Sequence, residues 1–112
     1  MIVRPPQLPA TKLWTSNSAA ALEYEIAQEK ASALGRLGRA LEAALDRLRE
    51  FDAQHAETTT DLRGKRKALV AEAGRALWLF VVQRECIGVR DTRALMREYR
   101  VPGEVQNRMG AF

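Results

Sequence analysis

Residues 34–51, LGRLGRALEAALDRLREF, decide the fold class of this 112-residue chain. Their apolar side chains recur in alternating steps of three and four, which is the spacing of a helix that packs along one seam. The seam consists of Leu34, Leu37, Leu41, Leu48 and Phe51. Good N-cap residues, TSNS at 15–18, open the proline-free run that contains it. The sequence therefore predicts a first helix from about residue 16 to about residue 53.

The length of this helix raises a packing problem. A helix of roughly 36 residues is about 54 Å long, whereas a compact globule of this chain length is about 34 Å across. Gly35 and Gly38 allow one solution, a kink in a monomer, or they mark the close approach of another backbone. The second solution is a partner copy that covers the seam. We favour the second solution and predict a homodimer.

A second helix is predicted from about Thr59 to Ile87, after a capping box at Thr58 and Asp61. Its stretch ALWLFVV, residues 76–82, is apolar on every side, which predicts burial on every side. The predicted core residues of this helix are Leu77, Trp78, Phe80 and Val81.

Local signals predict two short helices at the C-terminal end. Gly88 is suited to follow the second helix in a left-handed conformation, and Asp91 is suited to cap a third helix over about 92–100. Pro102 and Gly110 frame a fourth helix. The predicted fold is all-α, with two long antiparallel helices and two short ones, completed as a bundle by dimerisation. Residues 1–15, with three prolines, are predicted to form an extended arm, and residues 16–112 a single helical domain.

Composition excludes several classes of function. A single cysteine and a single histidine exclude an intramolecular disulfide and a histidine-rich metal site. Cys86 is predicted to be a buried structural residue rather than a nucleophile paired with His55. We expect no catalytic residue, no metal and no cofactor, since no nucleotide-binding loop, zinc protease or esterase motif occurs.

The longest apolar stretch, residues 68–82, argues against a membrane protein. It contains Glu72 and Arg75 and is about 22 Å long as a helix, which is shorter than the roughly 30 Å hydrocarbon core. No secretory signal precedes it. We expect a soluble cytoplasmic protein.

Charge is unevenly distributed along the chain. Residues 1–57 carry a net charge of −1, and residues 58–112 carry +5. This asymmetry suggests an anion or nucleic-acid surface, although a solvated basic face is the favoured interpretation. The candidate contact residues are Arg63, Lys65, Arg66, Lys67, Arg93, Arg97 and Arg100, the last three on one face of the third helix.

Two further patterns allow a binding role. The last two helices have the order of a helix-turn-helix, whose second helix would present Gln106, Asn107 and Arg108, although that helix is short. The dipeptides Arg84-Glu85 and Arg90-Asp91 bracket the corner after the second helix. An internal ion-pair network is favoured there over an anion site.

The segments RALWLFVVQRECIGVRD, residues 75–91, and EYRVPGEVQNRMG, residues 98–110, resemble a family of small bacterial proteins of unknown function. The resemblance covers most of the chain and implies a cytoplasmic bacterial protein. It supplies no activity, cofactor or catalytic residue, and it places Cys86 in no functional motif. The leading hypothesis is a non-enzymatic, self-associating helical protein, and the alternative is a nucleic-acid-binding module that uses the basic C-terminal half.

Overall fold

The computed structural model of the protein describes residues 7–57 and 59–110, with side chains from residue 17 onward. Four helices occur in these ranges, and no strand does. Helix α1 spans Gln7–Gln54, α2 spans Thr60–Cys86, α3 spans Thr92–Glu98 and α4 spans Gly103–Arg108. The prediction of an all-α fold with two long and two short helices is confirmed. Its completion by a second copy stays a prediction.

The chain divides into two units, residues 1–32 and residues 33–112. In the first unit, α1 begins at Gln7, so residues 7–15 are helical and the predicted extended arm is wrong for them. Residues 1–6 of that arm lie outside the described residues. Pro9 is compatible with this helix because it falls in the first turn, where backbone N–H groups have no intrahelical acceptor. All described side chains of this unit, residues 17–32, are exposed.

The second unit has one hydrophobic core, to which all four helices contribute. The fully buried large residues are Leu41, Leu45, Leu48, Leu77, Leu95 and Val105. Leu34 and Leu37 pack against this core, and Phe51 is half-buried. Of the predicted seam, Leu41 and Leu48 are therefore covered within the chain, whereas Leu34, Leu37 and Phe51 are covered only in part.

Contacts between α1 and α2 show that the two long helices run antiparallel. Gly38 lies opposite Phe80, Arg47 forms an ion pair with Glu72, and Asp52 forms an ion pair with Arg66. Residue numbers rise along α1 as they fall along α2, which is the register of a helical hairpin. The predicted antiparallel hairpin is confirmed.

Gly38 marks a close approach of neighbouring side chains to α1. A Cβ atom at this position would lie 3.0 Å from the hydroxyl oxygen of Tyr99 and 3.3 Å from the Cζ atom of Phe80. The two rings meet edge to face, with centroids 5.5 Å apart, and burial raises the pKa of the Tyr99 phenol. Helix α1 is continuous through both glycines, and the groups that approach Gly38 closely are side chains rather than the second backbone that was predicted.

The helix ends follow the local sequence signals closely. The hydroxyl of Thr59 caps α2 by accepting from the Leu62 N–H at 3.3 Å, so the predicted cap at Thr58 is one residue too early. Asp91 caps α3 as predicted, accepting from the Ala94 N–H at 3.0 Å. Gly88 has a φ of 86°, which confirms the predicted left-handed residue after α2.

Within the single chain, residues 76–82 are not buried on every side, contrary to the prediction. Trp78, Leu79 and Val82 are 38%, 42% and 37% exposed, although Leu77, Phe80 and Val81 are in the core as predicted. Within the described residues, α1, α3 and α4 cover only one side of α2. An apolar run does not specify how many neighbours surround it, because that number depends on the other elements of the fold.

Arg100 lies beyond α3, which ends at Glu98, so the prediction that it shares a helix face with Arg93 and Arg97 is wrong. Its φ of 52° is left-handed, a conformation that costs a non-glycine residue about 1–2 kcal/mol. The Arg49 guanidinium of α1 donates to the carbonyl oxygens of Tyr99 and Arg100 at 3.0 and 3.2 Å. These bonds hold the end of α3 against α1.

We expect Arg100→Gly to raise the free energy of unfolding by about 0.5–1 kcal/mol, because glycine adopts the left-handed conformation without steric cost. Urea unfolding followed by far-ultraviolet circular dichroism measures the change. The matched control is Arg97→Gly inside α3, which should lower stability by up to about 1 kcal/mol. A loss of stability in both variants would contradict the assignment of strain to Arg100.

Candidate functional site

A cavity of about 550 Å³ lies between α2 and α4. Its lining is strongly basic, with four cationic side chains, one carboxylate and one apolar residue. The lining residues are Arg63, Arg66, Lys67, Val70, Glu104 and Arg108. We refer to this site as the basic cavity.

Two small features of the sequence build the basic cavity. Gly74 lets the end of α4 approach α2, since a Cβ atom there would lie 3.0 Å from the Cβ and 3.2 Å from the carbonyl carbon of Arg108. Val105 anchors the middle of α4 in the core, where it is fully buried. Together these contacts place Arg108 across from the basic first half of α2.

Arg66 ties three helices together at one wall of the cavity. Its Nη1 and Nη2 atoms donate to the two carboxylate oxygens of Glu104 at 2.8 and 2.6 Å. Its Nε and Nη2 atoms donate to Asp52 of α1 at 2.8 and 3.1 Å. This paired, fork-like geometry is the strongest form of arginine–carboxylate hydrogen bonding.

The hydrogen bonds among Arg66, Asp52 and Glu104 shift the pKa of all three groups. Hydrogen bonds from Arg66 hold the pKa of the Asp52 and Glu104 carboxyls below their usual range. Hydrogen bonds to Glu104 and then Asp52 raise the pKa of the Arg66 guanidinium further above its ordinary value. Arg66 remains charged and is shared by the carboxylates of Asp52 and Glu104, so the three groups together carry one net negative charge.

Arg63 and Lys67 supply positive charge that no carboxylate of the described residues neutralises. They stand one turn apart on α2, so their side chains are neighbours on one helix face. Both are exposed. The arrangement can bind a compact anion between these two cations and Arg108.

Only part of the predicted basic surface comes together in the structure. Of the seven predicted contact residues, Arg63, Arg66 and Lys67 line the basic cavity. Lys65, Arg93, Arg97 and Arg100 are exposed but are not among its lining residues. Sequence reasoning missed the role of Glu104 and the placement of Arg108 beside α2. No spacing signal joins residues about 40 positions apart, and only the packing of α4 reveals them.

Helix α4 is a packing element in this fold. It has six residues, Val105 is fully buried, and the Gln106 side chain donates to the Val101 carbonyl at 2.9 Å. A recognition helix needs side chains that are available to base edges. The helix-turn-helix interpretation therefore gains no support from α4.

Cys86 is exposed at the end of α2, so the prediction of a buried structural cysteine is wrong. Its thiol forms no hydrogen bond with any described residue. His55 is half-buried, stacks on Phe51 with centroids 4.4 Å apart, and donates from Nδ1 to the Phe51 carbonyl at 2.9 Å. Among the described residues, no three His, Cys, Asp or Glu side chains are grouped as metal ligands.

The corner after α2 does not contain the predicted ion-pair network. Arg84 lies over the Phe80 ring, with 5.6 Å from its guanidinium carbon to the ring centroid, and the Asp91 carboxylate caps α3. Within residues 17–57 and 59–110, no ion pair involves Arg84, Glu85, Arg90 or Asp91. Arg84 and Asp91 instead make local contacts, Arg84 with a ring of α2 and Asp91 with the backbone of α3.

A second surface feature is an apolar patch on the side of α2 that faces away from the core. Leu79, Val82 and Cys86 follow one another at steps of three and four residues, so they form a continuous strip on the helix. We define the outer face of α2 as Trp78, Leu79, Val82, Cys86, Ile87 and Val89, all of which are exposed. None of the described helices combines the length and apolar character needed to cross a bilayer.

Comparison with known proteins identifies the family of the chain and no function. Residues 11–112 match the model of a family of unknown function, DUF6665. No curated protein and no solved structure shows significant similarity to the chain. The chain belongs to this family, in agreement with the predicted resemblance to an uncharacterised family.

Proposed function

We propose that this member of a family of unknown function is a non-enzymatic helical protein that associates with a second copy of itself through the outer face of α2. The observation that carries the proposal is the exposed apolar strip at Leu79 and Val82. Single exposed apolar residues are common in monomers, whereas contiguous apolar patches mark interaction sites. We further infer a cytoplasmic location, since one cysteine without a partner in the chain suits a reducing compartment.

A second copy suits this face because a two-fold axis that passes between Leu79 and Val82 pairs the strip with itself. Such an axis places Leu79 and Val82 of one copy against the same residues of the other, and it makes the two α2 helices antiparallel. The cationic end at Arg75 then lies beside the acidic end at Glu85 of the second copy. Opposite charges flank the apolar contact on both sides, which favours this register.

Sedimentation velocity over a range of concentrations tests the proposal with Leu79→Glu. We expect the wild-type protein to be a dimer and the variant to be a monomer, with the dissociation constant raised by more than about 100-fold. Each copy would bury an unpaired carboxylate in place of an apolar side chain. Leu79 is exposed in the single chain, so the substitution should leave the fold intact.

The matched control is Leu22→Glu, which changes an exposed leucine of the first unit. We expect this variant to remain dimeric. A wild-type protein that is monomeric at every concentration would overturn the proposal, as would dissociation caused by Leu22→Glu and not by Leu79→Glu.

Cys86 offers an independent readout of the same face. It lies five to six residues beyond the midpoint of Leu79 and Val82, which is about 8 Å along the helix axis, so the two thiols of an antiparallel pair are separated by about 16 Å along that axis. A bismaleimide of matching reach should link two wild-type chains and should fail to link Leu79→Glu or Cys86→Ala chains.

A further inference from the structure

We propose that the basic cavity between α2 and α4 binds a phosphate group. The cavity lies on the first half of α2, whereas the outer face occupies the second half, so this site is independent of the proposed self-association. A phosphate group is present both in small phosphorylated molecules and in the backbone of a polynucleotide, and the same residues would recognise either.

The charges of the cavity favour an anion with more than one negative charge. Arg63 and Lys67 form one wall, and Arg108 at the end of α4 contributes a third cation. Guanidinium and ammonium groups are the side chains that proteins use to bind phosphate oxygens, through charge-assisted hydrogen bonds. Three cations around one opening suit a phosphate dianion or a pyrophosphate.

Arg66 holds the carboxylate of Glu104 in a paired interaction, and the remaining negative charge is outweighed by the other three cations of the lining, Arg63, Lys67 and Arg108. Both oxygens of that carboxylate accept hydrogen bonds from the same guanidinium, which fixes its orientation at the wall. Arg66 is therefore a positioning residue that keeps α4 and Arg108 in place. The anion would contact Arg63, Lys67 and Arg108 instead.

The size of the cavity fits a phosphate that carries an attached group. Its volume of about 550 Å³ lies within the range of roughly 300–1,000 Å³ that is typical of small-molecule sites. Val70, buried in the core, provides an apolar surface beside the cations. A phosphate held by the three cations would leave room for a small organic moiety next to Val70.

Isothermal titration calorimetry of the full chain tests the proposal with two probes, inorganic pyrophosphate and a short DNA duplex, at roughly 50 mM salt, where phosphate contacts are strong. We expect Arg63→Gln with Lys67→Gln to weaken binding by about 100-fold, or about tenfold for each lost charge-assisted hydrogen bond. Both residues are exposed, and circular dichroism checks that the fold is retained.

The matched control is Lys65→Gln with Arg93→Gln, which removes the same charge from exposed positions that do not line the cavity. We expect the affinity of this control to lie within about twofold of the wild type. The small difference reflects weaker long-range electrostatic attraction of the anion.

Each outcome of the titrations has a defined meaning. Pyrophosphate binding that the cavity variant loses supports the proposal and identifies a small phosphate ligand. Binding of the duplex alone, lost in the cavity variant and kept in the control, supports the proposal and identifies a polynucleotide as the source. Absence of binding by both probes overturns the proposal. Equal weakening in the two double variants also overturns it, because attraction to a diffuse basic surface would then explain the binding.

Discussion

Replacing Leu77 with alanine is expected to lower the free energy of unfolding by about 3 kcal/mol. Leu77 is fully buried on α2, within the single core to which all four helices contribute. Truncation to alanine removes apolar contacts and leaves a cavity that a close-packed core fills only partly, and such changes cost about 2–5 kcal/mol. Urea unfolding followed by circular dichroism measures the loss as a shift of the midpoint.

Leu79→Ala is the matched control for this prediction. It makes the same exchange two residues later in the same helix, so the change in helix propensity is equal. Leu79 is 42% exposed, and we expect a loss below about 1 kcal/mol when the protein is monomeric. Equal losses at both positions would show that the two sides of α2 are buried alike, contrary to the fold described above.

Replacing Gly74 with valine is expected to lower the free energy of unfolding by about 2 kcal/mol relative to the same exchange at Gly64. A Cβ atom at Gly74 would meet Arg108 at 3.0–3.2 Å, partly at backbone atoms, so a branched side chain forces the end of α4 away from α2. Overpacking of this kind costs about 1–3 kcal/mol. The basic cavity between these helices should be disrupted by the same displacement.

Gly64→Val isolates the contact with α4 from the intrinsic preferences of valine. Gly64 lies in the same helix, and apart from its chain neighbours and the nearby backbone of its own helix, a Cβ atom there would have no atom of the described residues within 4 Å. We expect this variant to be neutral or slightly stabilising, because valine is a better helix former than glycine. Urea unfolding of both variants measures the difference. Equal stabilities would show that α4 moves away from α2 with no loss in the free energy of unfolding.

Local chemistry explains why most of the helices could be predicted. The N-cap at Asp91 and the glycine at Gly88 act over a few residues, so their roles can be recognised from the sequence. The start of α1 could not, because a proline such as Pro9 suits either an extended segment or the first turn of a helix.

The candidate site was predictable only in part, for a similar reason. Arg63, Arg66 and Lys67 stand out as a basic cluster because they are close together in the sequence. Glu104 and Arg108 belong to the same cavity, but they reach it only through the packing of α4 on α2. Their identity as cavity residues depends on Gly74 and Val105, whose contacts have no signature in the order of residues.

The sequence by itself determined that the chain is helical, where most of its helices end, and that its positive charge lies in the C-terminal half. These properties follow from periodicity, capping and composition, which are local or additive. The tertiary structure decided that Leu41 and Leu48 of the α1 seam are covered within the chain, that α2 is exposed along Leu79 and Val82, and that Arg108 joins Arg63 and Lys67. Burial and the meeting of distant charges depend on which elements pack together, and that choice minimises the free energy of the whole chain rather than of any one segment.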